Sequence, residues 1–170
     1  GTHVPPLMIA SITETCNLRC RGCYAMAREP REKATSCGSA PSGRELPDAR
    51  WRGLFLEASR LGISFVLVAG GEPFARPEVI EAAAATPGTL YAVFTNGLLI
   101  GPRIARSLRR SRNVVPIVSL EGPQRQTDGR RGPGVYQRVM RAMARLRSAR
   151  VPFGVSLTVT SVNLDVVTSP

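Results

Sequence analysis

Three of the chain's four cysteines fall within one eight-residue stretch, Cys16-Asn17-Leu18-Arg19-Cys20-Arg21-Gly22-Cys23. Single cysteines are most often buried as small hydrophobes. Three in one short polar stretch, beside Asn17, Gly22, Arg19 and Arg21, cannot all be core. Nor can they pair off, because one is always left over and disulfide loops this short are strained. Several thiolates offered from one loop point to a metal site. The count of three matters. A cubane iron–sulfur cluster held by three cysteines keeps one iron without a protein ligand, and that iron can bind a small molecule. Structural zinc, with Cys37 as a fourth ligand, is the alternative use of the same thiols.

The spacing C-x3-C-x2-C, followed directly by Tyr24, resembles the signature of the radical S-adenosylmethionine (radical SAM) superfamily. The resemblance implies that Cys16, Cys20 and Cys23 ligate a 4Fe–4S cluster whose open iron chelates the amino and carboxylate groups of S-adenosylmethionine. It also implies an activity. One electron cleaves the cofactor to a 5′-deoxyadenosyl radical, which abstracts hydrogen from a substrate that the sequence does not identify.

Further residues carry the resemblance. Gly70-Gly71-Glu72-Pro73 is similar to the superfamily's GGE motif. Gly70 and Gly71 lack Cβ atoms, so a ligand can approach the backbone, and its carbonyls can accept hydrogen bonds from an ammonium group. Glu72 adds negative charge where the cofactor's amino group is expected. By resemblance, Thr95 and Ser119 hold its carboxylate or ribose, and Arg131, with Arg130 as the alternative, pairs with the carboxylate. The resemblance also implies Tyr24 near the adenine and Glu121 toward the ribose. Arg19 and Arg21 can offset the negative charge of a thiolate-bound cluster. Each residue also has a plainer role: tight turn, helix cap, rim packing or solvated arginine. Asn96-Gly97 reads as a turn. The G-G-E-P and T-N-G elements bring the chain nearest to the peptide-modifying and cofactor-maturing members.

These residues need a scaffold that gathers them. Short apolar runs at residues 7–12, 63–69, 90–94, 114–120 and 154–159 read as buried strands. Between them, residues 47–61 show a helical apolar stripe (Trp51, Leu54, Phe55, Ala58, Leu61) closed by Gly62. Residues 77–85, 104–110 and 135–150 continue the alternation, the last with Val135, Val139, Met140, Met143 and Leu146 inward and Arg138, Arg141 and Arg145 outward. Residues 27–44, with Cys37, and 124–134 read as irregular loops, and residues 162–170 as the start of another helix. Five strand–helix alternations demand parallel strands with helices outside. A complete (β/α)8 barrel needs about 250 residues. The 170 residues here therefore predict an α/β fold: a partial (β/α)6-type, TIM-like barrel with five βα units and a truncated sixth, in one domain over residues 1–170. Residues 1–4, with Gly1 in place of a start Met, are set aside as a cloning remnant. In such barrels the loops after the strands meet at one mouth. The cysteines, Gly70–Pro73, Thr95–Gly97, Ser119–Gly122 and Thr158 each follow, or end, a different strand.

Composition narrows the alternatives. The formal net charge is +11, which by itself suggests a polyanion or nucleic-acid binder. All but one of the 23 basic residues are arginine, they are dispersed along helix faces, and no aromatic residues interleave to stack on bases. Nucleic acid is therefore the lesser alternative. No apolar run approaches the roughly 18–20 residues of a membrane span, and no signal peptide is visible. Free clustered cysteines then fit a reducing cytoplasm. His3 is the only histidine, which excludes a histidine-based triad. The implied partners are a small-molecule or peptide substrate and an electron donor such as ferredoxin or flavodoxin. An open barrel edge also invites oligomerisation.

Overall fold

The structure is a computed structural model that describes residues 4–24 and 45–168. The expected loop at residues 27–44, with Cys37, falls outside the described residues.

Five strands form one sheet: β1 (Leu7–Ser11), β2 (Phe65–Ala69), β3 (Leu90–Thr95), β4 (Val114–Ser119) and β5 (Gly154–Ser156). Each is parallel to the next, and their spatial order is their order in the chain. A doubly wound sheet reverses its order midway, whereas a barrel winds in one direction. The sheet is thus an arc of a barrel, as expected.

The connecting helices are α1 (Asp48–Arg60), α2 (Pro77–Ala84), α3 (Pro102–Arg110), α4 (Gln124–Arg131) and α5 (Val135–Ser148), with a short α6 (Leu164–Thr168) at the end. Trp51, Phe55 and Ala58 of α1 and Val135, Val139, Ala142 and Leu146 of α5 are buried. All of these but Ala58 join Val66, Val68, Tyr91, Val93, Val114 and Val118 of the strands in one core cluster. The strand members all lie on one face of the sheet. On the other face, register aligns Ile9, Leu67, Ala92 and Val115. Ile9 there is 66% exposed, so this inner face is open at β1.

Several expectations change. Residues 124–134 are not a loop throughout, since α4 occupies most of them. This helix has no apolar stripe, and only Thr127 is buried. Its end is anchored instead by polar contacts of Arg130 and Arg131, which hydrophobic periodicity cannot reveal. β5 ends at Ser156, not 159. Met140, Leu54 and Leu61 are exposed, because they flank the buried stripes and do not lie within them.

Candidate cofactor site at the cysteine loop

The described part of the segment leaving β1 runs from Ile12 to Tyr24, and the chain docks it on its neighbours with backbone bonds. Gly71 N donates to Thr13 O at 2.7 Å, and Glu72 N donates to Thr15 O at 2.8 Å. This contact needs both glycines. A Cβ on Gly70 would lie 2.4 Å from Thr13 O, and one on Gly71 2.2 Å from Thr15 O. Gly70 also has φ of +137°, which L side chains rarely adopt. The sequence suggested that these glycines clear room for a ligand. In the structure, the backbone that approaches them is the chain's own, the segment leading to the cysteines. The Tyr24 hydroxyl donates to Gly70 O at 3.3 Å, closing the loop back onto the same turn.

Glu72 is fully buried. Its Oε1 accepts from Phe74 N at 3.1 Å and from the Thr95 hydroxyl at 2.8 Å, and its Oε2 accepts from Asn96 N at 2.8 Å. These bonds tie the ends of β2 and β3 together around the glutamate that the sequence assigns to the cofactor's amino group. Thr95 belongs to the same network. It is 2% exposed, and its hydroxyl both donates to Glu72 and accepts from Gly97 N. Ser119 ends β4, opposite Ser156 of β5. It shares the inner face with Ile117.

Burial pushes the Glu72 carboxyl above the usual glutamate range, against the pull of its donors from Asn96, Thr95 and Phe74. Such a group contributes stability below its ordinary pKa, and that stability is lost as pH rises through the folded pKa. The stability advantage of the protein over a Glu72→Gln variant is therefore expected to shrink as pH rises from the ordinary glutamate range. Urea unfolding at a series of pH values checks this, and a pH-independent difference contradicts it.

A second buried carboxylate anchors the other side of the loop. Glu121, 1% exposed, takes Arg130 Nη1 at 2.6 Å and Arg131 Nη2 at 2.5 Å on Oε1. Thr158 N approaches Oε2 at 3.3 Å. Glu121 was expected to face a ribose, but its oxygens face protein donors. Arg130 then reaches the cysteine loop twice: its carbonyl accepts from Arg21 N at 2.8 Å, and its Nε donates to Arg21 O at 3.2 Å. Asn163 completes the group, donating to Glu121 O at 3.1 Å and Thr158 O at 3.0 Å. Neither Asn163 nor Asn96 stood out in the sequence, where Asn96 reads as a turn residue and Asn163 falls at the start of the last expected helix.

Cys16, Cys20 and Cys23 are free, half-buried thiols. Burial raises the Cys16 thiol to about 11, with the Leu18 N–H bond opposing, while nearby Glu72, Cys20 and Cys23 add to the rise. Cys20 is also raised by burial, and Arg131 and Arg130 pull it back. The three thiols thus feel one another's charge. Among the described residues, however, no three His, Cys, Asp or Glu side chains are arranged to hold a metal ion. The sequence suggested converging thiols; the structure gathers them in one loop without closing them into a ligand set. Thiols must lose their protons to ligate a metal, so loading this loop would release protons from Cys16 and Cys20, whose pKa values burial raises. The donor set fits an iron–sulfur cluster: three thiols of one loop, N–H donors aimed at Cys16 Sγ, and two guanidinium groups beside Cys20.

The fold and this loop define the class. Residues 10–167 match the family model described as the Radical SAM superfamily, and the chain belongs to that superfamily. It is 32% identical over 98% of its length to the AdoMet-dependent heme synthase of Methanosarcina barkeri, covering 46% of that protein. It is 29% identical over 97% of its length to the mycofactocin maturase MftC of Mycolicibacterium smegmatis, covering 40% of it. The crystal structure of Streptococcus suis SuiB bound to precursor peptide SuiA superposes with a TM-score of 0.73 at 18% identity. That match covers 96% of this chain and 36% of SuiB, and it speaks for the fold. The chain thus spans less than half the length of the relatives it matches. Among the described residues no helix is long and apolar enough to cross a membrane.

Proposed function

We propose that this chain is the cluster- and cofactor-binding core of a radical SAM enzyme, acting on a peptide or small-molecule substrate. Cys16, Cys20 and Cys23 would hold a 4Fe–4S cluster. When bound, that cluster supplies the electron that reductively cleaves S-adenosylmethionine and yields the 5′-deoxyadenosyl radical for hydrogen abstraction. The observation that carries the reading is the bracing of the three-cysteine loop from two sides, by the Gly70–Glu72 turn and by Arg130, within a chain of this superfamily. Gly70 and Gly71 would offer carbonyls to the cofactor's ammonium group, Ser119 its hydroxyl, and Arg131 its remaining donors to the carboxylate. Tyr24 would sit at the adenine. Thr95 and Glu72 would serve by holding the turn, since their polar atoms are already engaged. Substrate would enter over the inner sheet face at Ile9, and a ferredoxin- or flavodoxin-type donor would supply the electron. The names of the relatives, a heme synthase and a maturase, support substrates of the cofactor-precursor or peptide type.

Anaerobic reconstitution tests the proposal. The expected result is a brown protein with about four irons and matching sulfide per chain, releasing 5′-deoxyadenosine when reduced with S-adenosylmethionine. Stoichiometric zinc without visible absorbance overturns it in favour of a structural module that also uses Cys37.

The arc also leaves β5 with no further strand among the described residues. An unpaired parallel strand with Val155 exposed favours association. We expect this chain to self-associate through that edge or to be completed there by another segment. Sedimentation showing a stable, folded monomer contradicts this.

A further inference from the structure

Asn96 sits where three motifs meet, although its own sequence, Thr95-Asn96-Gly97, signals only a turn. The residue is 7% exposed. Its backbone N–H is held by Glu72 Oε2 at 2.8 Å, so the buried glutamate fixes where the side chain starts. Its Oδ1 accepts from Leu98 N at 2.9 Å. That bond also fixes which way the amide faces, because only oxygen can accept there. The amide nitrogen is therefore turned toward the cysteine loop. It donates to Asn17 Oδ1 at 2.7 Å and to Cys16 Sγ at 3.8 Å. Leu18 N approaches the same sulfur at 3.4 Å. Cys16 Sγ thus lies between two N–H donors, one from its own loop and one from the end of β3.

We propose that Asn96 is a positioning residue for the first cysteine ligand, and that its amide N–H, donated to Cys16 Sγ, raises the reduction potential of the bound cluster. The inference rests on the cluster assignment made above. The physical reason is direct. Reduction adds negative charge that spreads onto the ligating sulfurs, and a hydrogen-bond donor at a sulfur stabilises the more negative state. The buried setting strengthens the effect, since little water competes for the sulfur. Glu72 is then the fixed post of a relay, Glu72 to Asn96 to Cys16. The G-G-E turn influences the cluster through it without touching it.

The test compares the reconstituted protein with Asn96→Asp, Asn96→Ser and Asn17→Ala by EPR-monitored redox titration without S-adenosylmethionine. Asn96→Asp keeps the acceptor for Leu98 N but removes the donor and places an oxygen near the sulfur. Its reduced fraction at a fixed poise is expected to fall about tenfold, or about 59 mV for a one-electron couple. Asn96→Ser keeps a turn-forming hydroxyl that is too short to reach the sulfur, and is expected to shift the same way by less. Asn17→Ala removes the competing acceptor and is expected to leave the potential unchanged or raise it. Potentials are read from whatever fraction of protein carries cluster, so partial loading does not blur the result. Equal potentials in the protein and both Asn96 variants overturn the inference. So does an Asn17→Ala shift matching that of Asn96→Asp, which would report general loosening of the loop. If neither Asn96 variant binds any iron, the residue builds the site instead of tuning it, and the inference falls. A parent protein that binds no iron overturns the cluster assignment itself, which keeps the two failures apart.

Discussion

Replacing Cys20 by alanine is expected to remove iron binding and 5′-deoxyadenosine release together, leaving the fold in place. Cys20 is central among the three thiols and the one beside which Arg130 and Arg131 stand. Two remaining cysteines cannot anchor three corners of a cubane, so the loss should be complete. Cys20 is half-buried and belongs to no hydrophobic core cluster of buried residues. Stability should therefore change by no more than about 1 kcal/mol. Iron and sulfide analysis, product chromatography and thermal unfolding of the same preparation check the three parts. Cys37→Ala is expected to keep the iron. Loss of metal from Cys37→Ala as complete as from Cys20→Ala would instead indicate a four-cysteine structural site.

The second large effect is expected at Gly71. An alanine there places its Cβ 2.2 Å from Thr15 O, 2.6 Å from Thr15 C and 2.7 Å from Glu14 O. All three are backbone atoms, so no side chain can swing aside. Relief requires the cysteine-leading segment to move away, which breaks the bonds from Gly71 N to Thr13 O and from Glu72 N to Thr15 O. Overpacking of this kind costs about 3 kcal/mol, and the lost bonds add to it. Gly71→Ala is therefore expected to lower stability by about 3 kcal/mol and to reduce cluster loading as well, because the displaced segment carries Cys16. A glycine needed only for ligand access would behave differently. Its alanine variant would melt like the parent and load iron normally, losing affinity for S-adenosylmethionine alone. Denaturant unfolding beside iron analysis separates the two.

That contrast marks what could be read from residues in one dimension. Strand–helix alternation, the direction of the strands and the placing of each polar motif after its own strand were all legible. They follow from the period of apolar residues and from glycine and proline punctuation. The cysteine count and spacing gave the class of chemistry. What the sequence could not carry is which polar atoms find partners inside the protein. Glu72, Thr95 and Glu121 were read as groups facing a ligand. Each is buried and engaged by donors or acceptors 9 to 37 residues away. α4 escaped notice for a related reason: its stability comes from arginine–carboxylate contacts and not from an apolar stripe. Asn96 looked like turn chemistry because the bond that distinguishes it crosses 80 residues to Cys16.

The motifs are parts of one frame: two buried glutamates, each helping to hold one side of a thiol-bearing loop. The central claim is that this loop carries a cluster with one iron open to S-adenosylmethionine. The most direct measurement is EPR of the anaerobically reconstituted, reduced protein before and after adding S-adenosylmethionine. The account predicts a 4Fe–4S signal whose g-values or line shape change on addition, and no such signal in Cys20→Ala. A cluster signal indifferent to S-adenosylmethionine, or the absence of any cluster in protein that is folded and fully loaded with zinc, would contradict it.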